Sequence, residues 1–158
     1  NTVYLPAENP WGVELVDSPE KADLVVLWLI PRGKSLFQSD GSPLFVSLSK
    51  NGIDVAHVKG LIAKKPTVLI INFTNPWAVE EVYQSGNAQI KGVLATFGTT
   101  QEALMDVLSG KFNPSGKMPF STPASEAAAQ SQKPDVPGYM EGDGYALFHY
   151  NEGLRYKE

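Results

Sequence analysis

The residues KKPTVLIINFTNPW, numbers 64–77, give the strongest indication of the fold of this chain. After Pro66 the run TVLIINF is apolar at nearly every position, which is typical of a strand covered on both faces. Similar runs occur on either side of it, DLVVLWLI at residues 23–30 and GVLAT at residues 92–96. We therefore predict a central, mostly parallel sheet with strands at 23–30, 67–73 and 92–96.

Segments with helical spacing alternate with these strands. HVKGLIAKKP, residues 57–66, and TTQEALMDVLSG, residues 99–110, each place their apolar residues on one helical face. Because strands that alternate with helices form a parallel sheet covered on both sides, the predicted fold is α/β, a three-layer α/β/α sandwich.

A further helix is predicted over NPWAVEEVYQSG, residues 75–86. Asn75 would be its N-cap, followed by a proline at the first helical position. On this prediction Trp77 lies on the inward stripe, and Glu80 and Glu81 lie on the solvent side.

The composition changes after Gly110. Residues 111–158 are rich in proline and glycine, and only ASEAAAQS, residues 124–131, has the composition of a short helix. The prolines fix φ and reduce the entropy lost when a long irregular path is ordered. We predict one α/β domain over residues 1–158, in which residues 111–158 form an extended tail that wraps its surface. The opening and closing residues suggest a piece of a larger chain.

Length and charge exclude several functional classes. The chain has 158 residues, no cysteine and a net charge of −4. An acidic balance gives no basic surface for nucleic acid, and the longest apolar run is too short to span a bilayer. The two histidines, His57 and His149, are isolated from each other in the sequence and predict no metal site. GTTQEA, residues 98–103, lacks a glycine-rich phosphate motif, so no cofactor is predicted.

Five stretches, in order, resemble the C-terminal α/β domain of family 3 glycoside hydrolases. They are KADLVVLWL, KKPTVLIINFTNPW, GVLATFGTTQEALMDVLSG, SGKFNPSGKMPFSTP and LFHYNEGLRY, which together run from about residue 22 to residue 156. The last resembles the family's closing Phe-Gly-x-Gly-Leu-Ser-Tyr, with Tyr150, Asn151 and Glu152 in place of the more usual Phe-Gly-Tyr.

The resemblance implies a part in hydrolysis of terminal β-glycosidic bonds, as in β-glucosidases, β-xylosidases and N-acetylglucosaminidases. It implies a separate N-terminal (β/α)8 barrel domain as partner, an oligo- or aryl-glycoside as substrate, and a secreted or periplasmic location. The barrel would carry the aspartate nucleophile, and it needs about 250 residues. This segment is therefore expected to be inactive alone.

The loop PRGKSLFQSDGSPLF, residues 31–45, follows a predicted strand at the edge where parallel sheets bind ligands. In the family this loop often carries the glutamate that acts as general acid/base, about 5–5.5 Å from the nucleophile in a retaining enzyme. Here its only carboxylate is Asp40, which is a candidate acid/base, although Asp40-Gly41 is also an ordinary turn dipeptide. Phe37 and Gln38 are candidate substrate contacts.

Trp77 is the other candidate contact, because it follows a strand end and an indole can stack on a sugar ring. A place in the core is the alternative interpretation of Trp77. For the whole chain, the alternative to a hydrolase domain is a non-catalytic flavodoxin-like or carbohydrate-binding module.

Overall fold

A parallel three-stranded sheet forms the centre of the molecule. The computed structural model describes residues 9–33, 45–132 and 144–157. Within them the strands are β1 (Val25–Leu29), β2 (Thr67–Asn72) and β3 (Ile90–Thr96), in the order β1-β2-β3. Both pairings are parallel, so the predicted strands and their direction are confirmed.

The central strand is buried on both faces, as its composition predicts. Residues 67–71 are all buried. Side chains alternate across a strand, so Leu69 and Ile71 join one apolar cluster, whereas Val68 and Ile70 join another. A helix must therefore cover each face.

The first face is covered by α1 (Val55–Lys64). The carboxylate of its N-cap, Asp54, accepts a hydrogen bond from the backbone N–H of His57 at 2.9 Å, which satisfies one of the free donors of the first turn. Val58 and Ile62, one turn apart, pack in the same cluster as Leu69.

The second face is covered by α2 (Gln101–Leu108). The hydroxyl of Thr100 caps it by accepting from the N–H of Ala103 at 3.3 Å, and Leu104 packs in one cluster with Val68 and Ile70. Helices on opposite faces of a parallel sheet confirm the three-layer α/β/α prediction.

The helix predicted over residues 75–86 is wrong. The N–H of Ala78 donates to the carbonyl of Val46 at 2.9 Å, and Ala78 forms a parallel bridge with Ser47. Only one helical turn follows, from Val79 to Tyr83. The bridge to Ser47 places Ala78 in a strand-like pairing where the predicted helix needs its first turn, although Trp77 and Val79 are buried as predicted.

The predicted solvent-side placement of Glu80 and Glu81 is also wrong, because both side chains bind to distant segments of the chain. One carboxylate oxygen of Glu80 accepts from the backbone N–H of Glu126 at 3.1 Å. Glu81 accepts from the backbone N–H of Ser49 at 2.9 Å. Both glutamates therefore connect this segment to other parts of the chain.

After α2 the chain runs through short elements on the first face of the sheet. These are β4 (Thr122–Pro123), α3 (Glu126–Ser131) and β5 (Ala146–Phe148), with β4 and β5 antiparallel. The helix predicted at residues 124–131 is confirmed. The ring of Phe148 lies 5.3 Å from that of Tyr83, so β5 adds to the cluster that α1 covers.

The proline-rich segment pairs with the closing residues of the chain. The N–H of Met118 donates to the carbonyl of Glu152 at 2.8 Å, and the N–H of Asn151 donates back to Met118 at 2.9 Å. Gly153 lies so close to the carbonyl of Gly116 that a Cβ atom would approach its oxygen to 2.5 Å. In the described parts of the chain, no helix is long and apolar enough to cross a membrane.

Candidate functional site

The carboxyl ends of the three strands meet at one edge of the sheet, which is where open α/β sheets bind ligands. Residues 30–33 follow β1, residues 73–77 follow β2 and residues 97–100 follow β3. We call this region the carboxyl edge. It is built from backbone turns, amides and aromatic rings.

Asn72, the last residue of β2, organises the carboxyl edge. Its side-chain oxygen accepts from the N–H of Gly98 at 3.0 Å and lies 3.3 Å from the hydroxyl of Thr96. Its backbone carbonyl accepts from the indole N–H of Trp77 at 3.1 Å. One asparagine thus ties the loop after β2 to the loop after β3.

Three phenylalanines form a cluster at the same edge. Phe73 follows β2, Phe97 follows β3, and Phe120 arrives from the proline-rich segment, with ring centroids 6.0–6.1 Å apart. Phe73 is buried, but Phe97 is 51% exposed. Sequence reasoning missed Phe97, whose only signal was its position directly after a strand.

Trp77 lies in the core beneath this edge. It is 1% exposed and packs with Leu69, Ile71 and Val79. This placement supports the core interpretation, and a role in stacking on a sugar stays a prediction. Gly33, after β1, passes directly over the indole, because a Cβ atom at Gly33 would lie 2.9 Å from Cη2 of Trp77.

Asn51 anchors both ends of the loop that carries the predicted site residues. Its carbonyl accepts from the N–H of Arg32 at 2.9 Å. Its side-chain amide donates to the carbonyls of Phe45 and Ser47 at 2.8 and 2.7 Å. Asn51 is buried, and no motif in the sequence marks it. Both stems of the loop are therefore fixed at the carboxyl edge.

The loop residues Phe37, Gln38 and Asp40 lie outside the described residues. Their predicted roles as substrate contacts and as acid/base candidate stay predictions.

An ion pair between Glu126 and Lys50 holds the segment that follows the loop. Glu126 accepts from the ammonium of Lys50 at 2.6 Å and from the N–H of Ser47 at 2.8 Å. Burial alone would raise the pKa of Glu126, but these hydrogen bonds from Lys50 and Ser47 outweigh it and hold the pKa below its ordinary value. The ammonium of Lys50 also lies 3.7 Å from the ring centroid of Phe45.

The described part of the carboxyl edge is suited to binding more than to proton transfer. It offers an exposed ring at Phe97 and a fixed loop base, and such apolar surfaces with a few placed amides are common in small-molecule sites. Across residues 9–33, 45–132 and 144–157, no three side chains of the metal-binding types lie close enough together to hold a metal ion.

Known proteins resemble this chain over nearly its whole length. The family profile described as Glycosyl hydrolase family 3 C-terminal domain matches residues 14–156. A probable β-glucosidase C of Aspergillus flavus is 30% identical over 147 residues, which are 92% of this chain and 22% of that protein. β-Glucosidase C of Emericella nidulans is 33% identical over 112 residues, 71% of this chain and 17% of that protein.

A bacterial protein also matches. The periplasmic β-glucosidase/β-xylosidase of Dickeya chrysanthemi is 25% identical over 148 residues, 90% of this chain and 22% of its own length. The chain thus spans about a fifth of the curated relatives that it matches.

Solved structures show the same fold. The β-glucosidase of Listeria innocua in complex with isofagomine superposes with a TM-score of 0.62 at 23% identity, over 88% of this chain and 21% of that one. The family profile, the curated relatives and the fold agree, and this chain therefore belongs to glycosyl hydrolase family 3, as a C-terminal domain.

Proposed function

We propose that this chain is the α/β part of a β-glycosidase and works together with a separate (β/α)8 barrel domain. The observation that carries the proposal is the match of residues 14–156 to a domain whose curated relatives here are β-glucosidases, of which this chain covers about a fifth. The remaining four fifths of such a protein has room for a barrel. On this proposal residues 1–158 form one domain, and its substrate is an oligo- or aryl-glycoside.

The carboxyl edge is the face that would line the substrate pocket. The loop between residues 31 and 45 begins and ends there, with both stems held by Asn51. We infer that Phe37 and Gln38 contact the sugar and that Asp40 is at best a weak acid/base candidate. In this arrangement the barrel carries the nucleophile, so the chain alone is inactive.

Kinetics of the full-length protein and of the chain alone test this assignment. We expect hydrolysis of aryl β-glucosides or β-xylosides by the full-length protein and none by the chain alone. If the chain alone turns over substrate and a substitution within it abolishes this turnover, the assignment of the nucleophile to the barrel is contradicted.

Two loop variants separate binding from proton transfer. Phe37→Ala should mainly raise KM, as expected when binding in the ground state and the transition state is lost equally. Asp40→Ala should cost less than the ~10²–10⁴-fold expected for loss of a general acid/base. A larger rate loss that azide rescues on an activated substrate would instead make Asp40 the acid/base.

We also propose a location outside the cytoplasm. The support is the periplasmic relative from Dickeya chrysanthemi. Fractionation of the native host, followed by detection of the protein in each fraction, tests it, and recovery only in the cytoplasmic fraction would contradict it.

A further inference from the structure

A second candidate binding site lies at the turn of residues 149–152, which directly follows β5. An open depression of about 420 Å³ is lined there by Leu147, His149, Tyr150, Asn151 and Glu152. The depression is wide open to solvent, so it suits a ligand bound at the surface more than an enclosed one.

The turn is held by hydrogen bonds that its backbone N–H groups donate. The N–H of Tyr150 donates to the hydroxyl of Ser121 at 2.9 Å. The N–H of His149 donates to one carboxylate oxygen of Glu152 at 2.8 Å, and the N–H of Glu152 donates to the carbonyl of His149 at 3.1 Å. Because the backbone is already fixed, only the side chains of the turn lose freedom when a ligand binds.

Several polar groups of the turn have unused hydrogen-bonding capacity. Nδ1 of His149 is buried and has no partner among the described residues. In the same part of the chain, the side-chain amide of Asn151 and the second carboxylate oxygen of Glu152 make no hydrogen bond. Next to them the ring of Tyr150 is 71% exposed. The groups that a bound ligand can reach are those of the exposed residues Tyr150, Asn151 and Glu152.

Asn151 presents its side-chain amide from an uncommon backbone conformation. Its φ of +65° lies in the left-handed region, which favours glycine. The family motif most often has Phe-Gly-Tyr where this chain has Tyr150, Asn151 and Glu152. Asparagine adopts this region more readily than other residues with a side chain. This chain therefore places a side-chain amide where the family motif has glycine.

We propose that this turn binds a saccharide ring. The Tyr150 ring would stack on the apolar face of the sugar, whereas the free oxygen of Glu152 would accept a hydrogen bond from a sugar hydroxyl. The Asn151 amide can donate and accept at once. The choice of a glycoside as the ligand class rests on the proposed function.

The site adjoins the carboxyl edge. Ser121, which holds Tyr150, directly follows Phe120 of the aromatic cluster. A saccharide bound at the turn would therefore lie beside the proposed pocket, where a longer substrate or a second sugar unit could reach it.

Nuclear magnetic resonance titration of the chain with methyl β-D-glucopyranoside and with cellobiose tests the site directly. We expect saturable shifts of the amide signals of residues 149–153, with a dissociation constant in the millimolar range. Tyr150→Ala and Asn151→Gly should each weaken binding at least about tenfold, the change that corresponds to 1.4 kcal/mol. Glycine adopts the φ of Asn151 without a steric cost, so a loss of binding in Asn151→Gly cannot result from misfolding.

Phe112→Ala is the matched control. Phe112 is also an exposed aromatic residue of the tail, at 55% exposure, but it does not line the depression. Calorimetry on the full-length protein with thiocellobiose, whose sulfur linkage resists hydrolysis, gives a second measurement, in which Tyr150→Ala should remove one class of binding sites and Phe112→Ala should not.

Three results would overturn the proposal. They are no saturable shift with either sugar, equal weakening by Phe112→Ala and Tyr150→Ala, and shifts at residues 149–153 that appear with zinc ions but not with sugars. Because the titration measures binding and not hydrolysis, its failure is distinguishable from failure of the proposed function, which the rate assays measure.

Discussion

Asn113 and Tyr156 exchange two hydrogen bonds across 43 residues of sequence. The side-chain amide of Asn113 donates to the carbonyl of Tyr156 at 3.2 Å, and the N–H of Tyr156 donates to the side-chain oxygen of Asn113 at 2.9 Å. The hydroxyl of Tyr156 also donates to the carbonyl of Val107 in α2 at 2.6 Å. One asparagine side chain thus substitutes for a strand partner and fixes the closing segment to the end of α2.

Replacing Asn113 should loosen this closure. We expect Asn113→Ala to reduce the free energy of unfolding by about 1–3 kcal/mol, since both polar groups of the Tyr156 backbone lose their partner. Urea denaturation measures the change, and hydrogen exchange at the Tyr156 amide should accelerate. The control is Ser115→Ala, an exposed residue that makes no hydrogen bond within the described chain. Equal stability of the two variants would contradict the prediction.

Gly33 should not tolerate a side chain. A Cβ atom there would lie 2.9 Å from the Trp77 ring and 3.1 Å from the Asn75 amide, so Gly33→Ala should cost about 1–3 kcal/mol of stability through overpacking. Gly60→Ala is the control. Gly60 lies in α1 with nothing within 4 Å of its Cβ position, and alanine there should stabilise the helix by about 0.5–1 kcal/mol. If thermal unfolding shows the same effect at both sites, the close approach at Gly33 is not energetically important.

Trp77→Phe distinguishes a core residue from a sugar platform. The substitution keeps most of the apolar volume but removes the indole N–H that Asn72 accepts. As a core residue, Trp77 should show a loss of about 1–3 kcal/mol in chemical denaturation. A variant with unchanged stability and a raised KM in the full-length protein would favour stacking on the sugar.

The bridge of Glu126 with Lys50 should make part of the stability depend on pH. The pKa of Glu126 is held below its ordinary value of 4.5, so the charged form is favoured in the folded state. Its contribution should therefore be complete above about pH 5 and should disappear as the pH falls through the lowered pKa. Unfolding free energies of the chain and of Glu126→Gln are measured across this range.

We expect Glu126→Gln to be less stable by about 1–3 kcal/mol at neutral pH, with the difference shrinking in acid. The control is Glu102→Gln, an exposed carboxylate in the first turn of α2. A difference between the chain and Glu126→Gln that grows in acid would contradict the assigned sign.

Elements with local signals can be predicted from the sequence alone. The continuous apolar run at residues 67–71 predicts a buried central strand. The helical spacing of apolar residues in α1 and α2 predicts a helix on each side of it. Caps such as Thr100 act within three residues of chain. The five stretches also indicated the family, because they are local signals that occur in the family's order along the chain.

The parts that depend on distant partners are found only in the folded structure. Residues 75–86 have a helical pattern, but Ala78 donates to Val46 and the helix does not form. Asn51 holds both ends of the candidate loop, and Asn113 replaces a strand partner for Tyr156. These hydrogen bonds join groups far apart in sequence. A local pattern specifies the period of the backbone, but it does not specify which distant donor or acceptor becomes available once the sheet has formed.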